Sequence, residues 1–206
     1  MIFDSHAHYN DTKFNEDRDA IIKALGGENV KYVMTVADSM DSLKKVLEIA
    51  DKYEFIYASV GVHPEEVGDL TENDMETLKK YAKLSKVKAI GEIGLDYYWD
   101  SVERDVQKKW FARQIDLAKE VKLPIIVHDR EAHGDCVEIL KSTKACEVGG
   151  ILHCFSGSCE MARDVLGLGM YIGIGGTVTF KNARKVPAGK RDTLSGEIEK
   201  ATGRSF

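Results

Sequence analysis

Short runs of apolar, mostly β-branched residues alternate along this chain with longer stretches in which apolar positions recur every three or four residues. The runs are MIF at 1–3, VKYVMTV at 30–36, FIYASVGV at 55–62, KAIGEIGL at 88–95, LPIIVHD at 123–129, GGILHCF at 149–155 and MYIGIGG at 170–176. Their length and composition predict buried strands. The stretches between them predict helices near 17–25, 40–52, 72–84, 103–121, 131–143 and 158–167. The pattern is plainest over 103–121, where Val106, Trp110, Gln114, Leu117, Ala118 and Val121 share one face with charges between them. Thr71, followed by Glu72 and Asp74, reads as a helix start.

Strands separated by helices pair in parallel through crossover connections. Two architectures satisfy this, an open doubly wound sheet and a (β/α) barrel. The polar residues choose between them. In a barrel, chemistry gathers at the C-terminal ends of several strands; in an open sheet, ligands gather at one switch point. Here reactive side chains close almost every run: His6 and His8, His63, Glu92 with Asp96, His128 with Asp129 and Arg130, and His153 with Ser156. Neither a G-x-G-x-x-G nor a Walker A loop is present. The expectation is an α/β fold, a TIM-like (β/α) barrel. A complete barrel has eight strands and about 250 residues. The 206 residues here supply seven strand-like runs, and the chain turns polar after Val186. Residues 1–187 are therefore expected to form a barrel lacking its eighth strand and final helices. Residues 188–206 are expected to form a divergent polar tail with at most a short helix around 194–201.

Composition narrows the function classes only a little. With 43% hydrophobic and 31% charged residues, the chain can build one globular core. A net charge of -5 gives no basic domain for nucleic acid, but bound metal can neutralise phosphate locally. No window approaches 18 uninterrupted apolar residues, so no membrane span is expected. Asp4 stands where a signal peptide would need a basic and then an apolar run. Cys136, Cys146, Cys154 and Cys159 form no C-x-x-C pair and are expected as reduced thiols in a cytoplasmic protein.

The histidines carry the chemistry. Residues two apart on a strand point the same way, so His6 and His8 can aim two imidazoles at one point. A single histidine at a strand end is more often a hydrogen-bonded structural residue. Five of the six histidines at one end of one sheet favour metal binding instead. Glu92 lies between them in chain order, and a carboxylate can bridge two cations through its two oxygens. The competing reading is a buried ion pair, but AIGEIGLD offers no basic partner nearby. A pair of cations suits phosphoester hydrolysis best, with amide or lactone hydrolysis next. Arg130 could grip a phosphate oxygen through its fork of donors, or be a surface residue on a loop. Asp129 could orient a ligand histidine or cap the helix after it, and His133, inside that helix, is expected to be solvated.

Six segments resemble one known family. They are FDSHAHYND at 3–11, VGVHPEE at 60–66, GEIGLDYY at 91–98, LPIIVHDR at 123–130, LHCFSGS at 152–158 and YIGIGGTVTFKNARKVP at 171–187. Together and in this order they resemble the TatD family of metal-dependent deoxyribonucleases, within the amidohydrolase superfamily. The resemblance implies a distorted (β/α)8 barrel and two divalent metal cations, magnesium, manganese or zinc. It implies that His6 and His8 hold the first, His128 and His153 the second, and that Glu92 bridges both at the catalytic centre. His63 and Arg130 then contact substrate phosphate, with Asp96 as a support. The implied activity is hydrolysis of phosphodiester bonds in DNA, often from a 3′ end. Family members continue through a segment resembling E-T-D-A-P-Y, whose aspartate binds metal and accepts the proton of the attacking water. Nothing after Pro187 matches it, and Asp192, in GKRDT, is not assigned that role. The expectation is a truncated chain with weakened activity and a barrel edge open to association with another chain. The alternatives are an inactive metal- or nucleic-acid-binding remnant, or a hydrolase of another phosphoester, amide or lactone.

Overall fold

The computed structural model describes residues 2–99 and 101–176. The polar tail at 188–206, its short helix and the 177–187 end of the last matching segment lie outside the described residues. The elements run β1 (Ile2–Ala7), α1 (Arg18–Ala24), β2 (Val30–Val36), α2 (Leu43–Lys52), β3 (Ile56–Val60), α3 (Glu72–Tyr81), β4 (Val87–Asp96), α4 (Arg104–Val121), β5 (Ile125–Arg130), α5 (His133–Ser142), β6 (Gly150–Leu152), α6 (Cys159–Gly167) and β7 (Tyr171–Ile172). All strands join one parallel sheet in sequential order from β1 to β7. A doubly wound sheet reverses its strand order at a switch point. This one never does, and it curls as an open TIM-like barrel. Among the described residues, β1 pairs with β2 alone and β7 with β6 alone.

The helices form where local chemistry supports them. Thr71 and Asp74 make a reciprocal capping box at the start of α3, with Thr71 N donating to Asp74 Oδ2 at 2.9 Å and Asp74 N to Thr71 Oγ1 at 3.3 Å. Ser158 caps α6 by accepting from Met161 N at 3.2 Å. Lys122 ends α4 in the left-handed conformation (φ 57°), and Leu123 N turns back to Ala118 O at 3.1 Å. No helix among the described residues is long and apolar enough to cross a membrane.

Two apolar layers hold the sheet. The larger lies between strands and helices, where α4 packs Phe111, Ile115 and Leu117 against the outer face. Each of these buried side chains contributes about 1.5–3 kcal/mol of apolar burial. The smaller lies inside the curl, where Met34, Val36, Ala89 and Ile126 meet with Tyr57 and Ile151 against them.

Three sequence expectations shift. The run at 170–176 yields only a two-residue strand. β3 ends at Val60, so His63 lies on the loop beyond it. β4 continues past Glu92 to Asp96, which places Glu92 within the strand and not at its end. Past Glu92, Gly94, Leu95 and Asp96 stay paired with His128, Asp129 and Arg130, and a bulge precedes them. Ile90 pairs with Ile125 and Ile93 with Val127, so β4 carries an extra residue there. Close backbone approach makes room for it. A Cβ on Gly61 would stand 2.8 Å from the Gly91 backbone, and a Cβ on Gly91 would stand 2.7 Å from Ile126 Cβ. Gly94 has φ +145°, and a Cβ there would overlap the His128 carbonyl oxygen.

Gly94→Ala is accordingly expected to destabilise the fold by at least about 2 kcal/mol in urea titration. Gly134→Ala, in α5 with nothing within 4 Å of the added Cβ, should be neutral or stabilise by up to about 0.5 kcal/mol. Equal effects at the two positions would refute the steric account.

Candidate metal centre

Glu92 is the hub of the site, with 3% of its side chain exposed. Its Oε2 lies 3.2 Å from His6 Nε2 and 3.4 Å from His8 Nε2. Its Oε1 lies 2.9 Å from His128 Nδ1 and 2.5 Å from His153 Nε2. His6 and His153 stack face to face with centroids 3.8 Å apart, which brings the two histidine pairs together. All five residues expected as metal ligands therefore meet in one pocket. β1 delivers His6, with His8 just beyond it; β5 delivers His128, and His153 follows β6 directly.

The donor set fits divalent cations. Imidazole nitrogens bind such ions at about 2.1 Å, so two on one ion stand about 3.0–3.4 Å apart at tetrahedral to octahedral angles. The His6 and His8 Nε2 atoms are 3.0 Å apart, and His128 Nδ1 and His153 Nε2 are 3.2 Å apart. Facing nitrogens at these distances need a shared proton or a shared cation. The cavity above them, about 460 Å³, is lined by five carboxylates, Asp11, Asp38, Glu65, Glu66 and Glu92, together with His8, His63, His128 and His153. No lysine or arginine is among these described lining residues, so an anionic ligand would meet repulsion unless cations intervene.

Neighbours fix the protonation. Burial alone would raise the Glu92 carboxyl, but hydrogen bonds with His128, His153, His6 and His8 outweigh it and hold the group well below the usual carboxylate range. Burial would lower His128, yet the Asp96 and Glu92 carboxylates lift it to about 9. Burial, with help from His128, drops His63 to about 4 and keeps it neutral. Burial also lowers His153.

Asp96, not Asp129, orients a histidine of the cluster: its Oδ2 lies 2.9 Å from His128 Nε2. Asp129 points to the helix side and pairs with His133 Nδ1 at 2.7 Å. His133 is thus a partner of a buried carboxylate and not the solvated residue expected. His63 lies against His128, with ring centroids 4.3 Å apart. Arg130 is at the rim, outside the histidine cluster, with its guanidinium over the Tyr98 ring.

Sequence periodicity missed two buried amides on α4. Gln114 falls within the apolar stripe of α4, but it accepts from Val62 N at 2.8 Å and donates to Val62 O at 3.0 Å, beside His63. Gln107, one heptad earlier, does the same for Asp96, at 2.9 Å in each direction. A glutamine inside an apolar stripe is itself the signal, because a buried amide needs partners.

Asp96→Asn should weaken metal affinity about 10–100-fold by calorimetric titration while the fold survives; unchanged affinity would remove Asp96 from the support of His128. In metal-free protein, the raised His128 contributes stability fully present below about pH 6.5 and lost as pH rises through about 9. Its thermal midpoint should fall across that window, and more steeply than that of His128→Gln. A flat profile would contradict the His128–Asp96–Glu92 arrangement.

Comparison with known proteins gives the family. The family model described as TatD related DNase matches residues 3–194. In Bacillus subtilis strain 168, the uncharacterized metal-dependent hydrolase YabD is 45% identical over 185 residues, spanning 90% of this chain and 72% of the relative. In Escherichia coli K12, the uncharacterized metal-dependent hydrolase YcfH is 33% identical over 189 residues, with 90% and 71% covered. The crystal structure of YjjV, a TatD homologue from Escherichia coli K12, superposes with a TM-score of 0.83 at 30% identity, covering 94% of this chain and 73% of that one. By sequence and by fold, this chain belongs to the TatD family.

Proposed function

We propose that the chain is a divalent-metal-dependent hydrolase of DNA phosphodiester bonds acting through two cations. One observation carries the reading: the two oxygens of Glu92 divide four histidines into two pairs, each spaced for a single ion. His6 and His8 would hold one cation and His128 and His153 the other, with Glu92 bridging. Bound there, the pair would lower the pKa of a water and neutralise charge at the attacking and leaving oxygens. The imidazole-rich donor set suits zinc or manganese better than magnesium.

The other residues have roles that need no metal to define. His63 is neutral, and its Nδ1 accepts from Glu65 N at 3.3 Å, which leaves the ring proton on Nε2 as a donor. That donor suits a phosphate oxygen. Arg130 supplies a fixed positive charge at the rim. Asp96 holds His128 in one orientation. Acid-lined walls make the cations the entry condition for an anionic strand. A cytoplasmic location rests on the thiol pattern of the sequence alone.

Purified chain incubated with single-stranded DNA and manganese or zinc should release nucleotides. A chelator should stop this, and Glu92→Ala should slow it at least about a hundredfold. Cleavage that survives either treatment would overturn the two-cation reading. Bound metal without cleavage would support the inactive metal-binding remnant instead.

A further inference from the structure

Beyond the ligands, β4 ends in a loop whose chemistry the metal centre does not use. Tyr97 turns toward the helices and donates to Asp135 Oδ2 at 2.6 Å. The next two residues do the opposite. Tyr98 and Trp99 are 54% and 49% exposed, and their rings meet edge to face with centroids 4.7 Å apart. Arg130, two residues past His128, lays its guanidinium 3.8 Å from the Tyr98 centroid and 5.6 Å from that of Trp99. Large aromatic surface left in water beside an active-site rim is unfavourable unless something covers it.

The loop is also held in place. Asp96 Oδ1 accepts from Tyr98 N at 2.9 Å and Trp99 N at 3.3 Å, while its other oxygen faces His128. The rings are therefore fixed relative to the histidine cluster. A guanidinium stacked by its face keeps its in-plane N–H groups free for an anion. Aromatic faces beside a forked cation match the two parts of a nucleotide, its flat base and its phosphate. The cavity lining of imidazoles and carboxylates offers no comparable apolar face.

We propose that Tyr98 and Trp99 form a stacking platform for an unpaired nucleobase of a single-stranded DNA substrate, with Arg130 gripping the adjoining phosphate. The proposal rests on the nuclease reading and adds how the strand is recognised. Stacking tolerates every base, since each has a π-face, so the platform selects unpaired strands over sequences. A base still paired within a duplex cannot reach it.

The chain carries its own reporter. It has two tryptophans, of which Trp110 is 4% exposed in the core and Trp99 is in solvent. Short phosphorothioate oligothymidylate, which resists cleavage, is titrated into metal-loaded protein alongside an abasic strand of equal length and linkage. Tryptophan fluorescence should be quenched by the base-bearing strand, which should bind about tenfold tighter than the abasic one. Competition against a dye-labelled strand should show that Trp99→Ala removes this preference and that Trp99→Phe keeps most of it, with thermal midpoints unchanged. Equal affinity for the two strands, or a preference that survives in Trp99→Ala, would overturn the platform. Hydrolysis of bis(p-nitrophenyl) phosphate, a diester without a nucleobase, tests the metal centre separately. Turnover without base preference sinks the platform alone; base preference without turnover sinks the nuclease reading alone.

Discussion

A buried carboxylate is the constraint that the rest of this molecule is built around. Taking an ion out of water costs several kcal/mol unless it is paired. Among the described residues Glu92 pairs with no lysine or arginine; four imidazoles surround it instead. Those imidazoles come from the first, fifth and sixth strands, which are far apart in the flat order of the sheet. They can meet Glu92 only because the sheet curls. The same curl that closes the inner apolar layer therefore also satisfies the charge, and neither would hold without the other.

The backbone around Glu92 is arranged with matching care. Gly61 and Gly91 let β3 and β4 approach more closely than any side chain allows, and the bulge between Ile90 and Ile93 turns Glu92 into the cluster. From outside, α4 reaches through the sheet with two amides. They satisfy both the N–H and the C=O of Val62, on the loop after β3, and of Asp96, the last residue of β4. Leaving either buried pair of backbone groups unmet would cost about 1–3 kcal/mol per group. A helix whose main task is burial thereby also sets the positions of His63 and His128.

Much of this is legible in the sequence. Strand and helix periods locate nearly every element, because the central strands β3 and β4 are mostly buried and the helices have one apolar face, whereas β1 at the sheet edge leaves Ile2 and Phe3 exposed. Histidines at the ends of several strands point to a barrel and a metal centre, because strand ends are where a barrel concentrates polar groups. What is not legible depends on three dimensions. The bulge at Glu92 arises from contacts between glycines thirty residues apart in sequence. The partner of His128 could be Asp96 or Asp129 on spacing alone, and only side-chain direction decides. Gln114 looks like a gap in an apolar stripe until the loop that it supports is seen.

Asp96 ties two properties together that are usually separate. One oxygen faces a histidine of the cluster and the other holds the loop with the two exposed rings. A change that pulls on either oxygen is felt at the other. Occupancy of the ion site and order in the aromatic loop should therefore rise and fall as one, each strengthening the other by the same factor, as thermodynamic reciprocity demands. In this arrangement whatever settles on the aromatic rim would help to retain the metal held behind it.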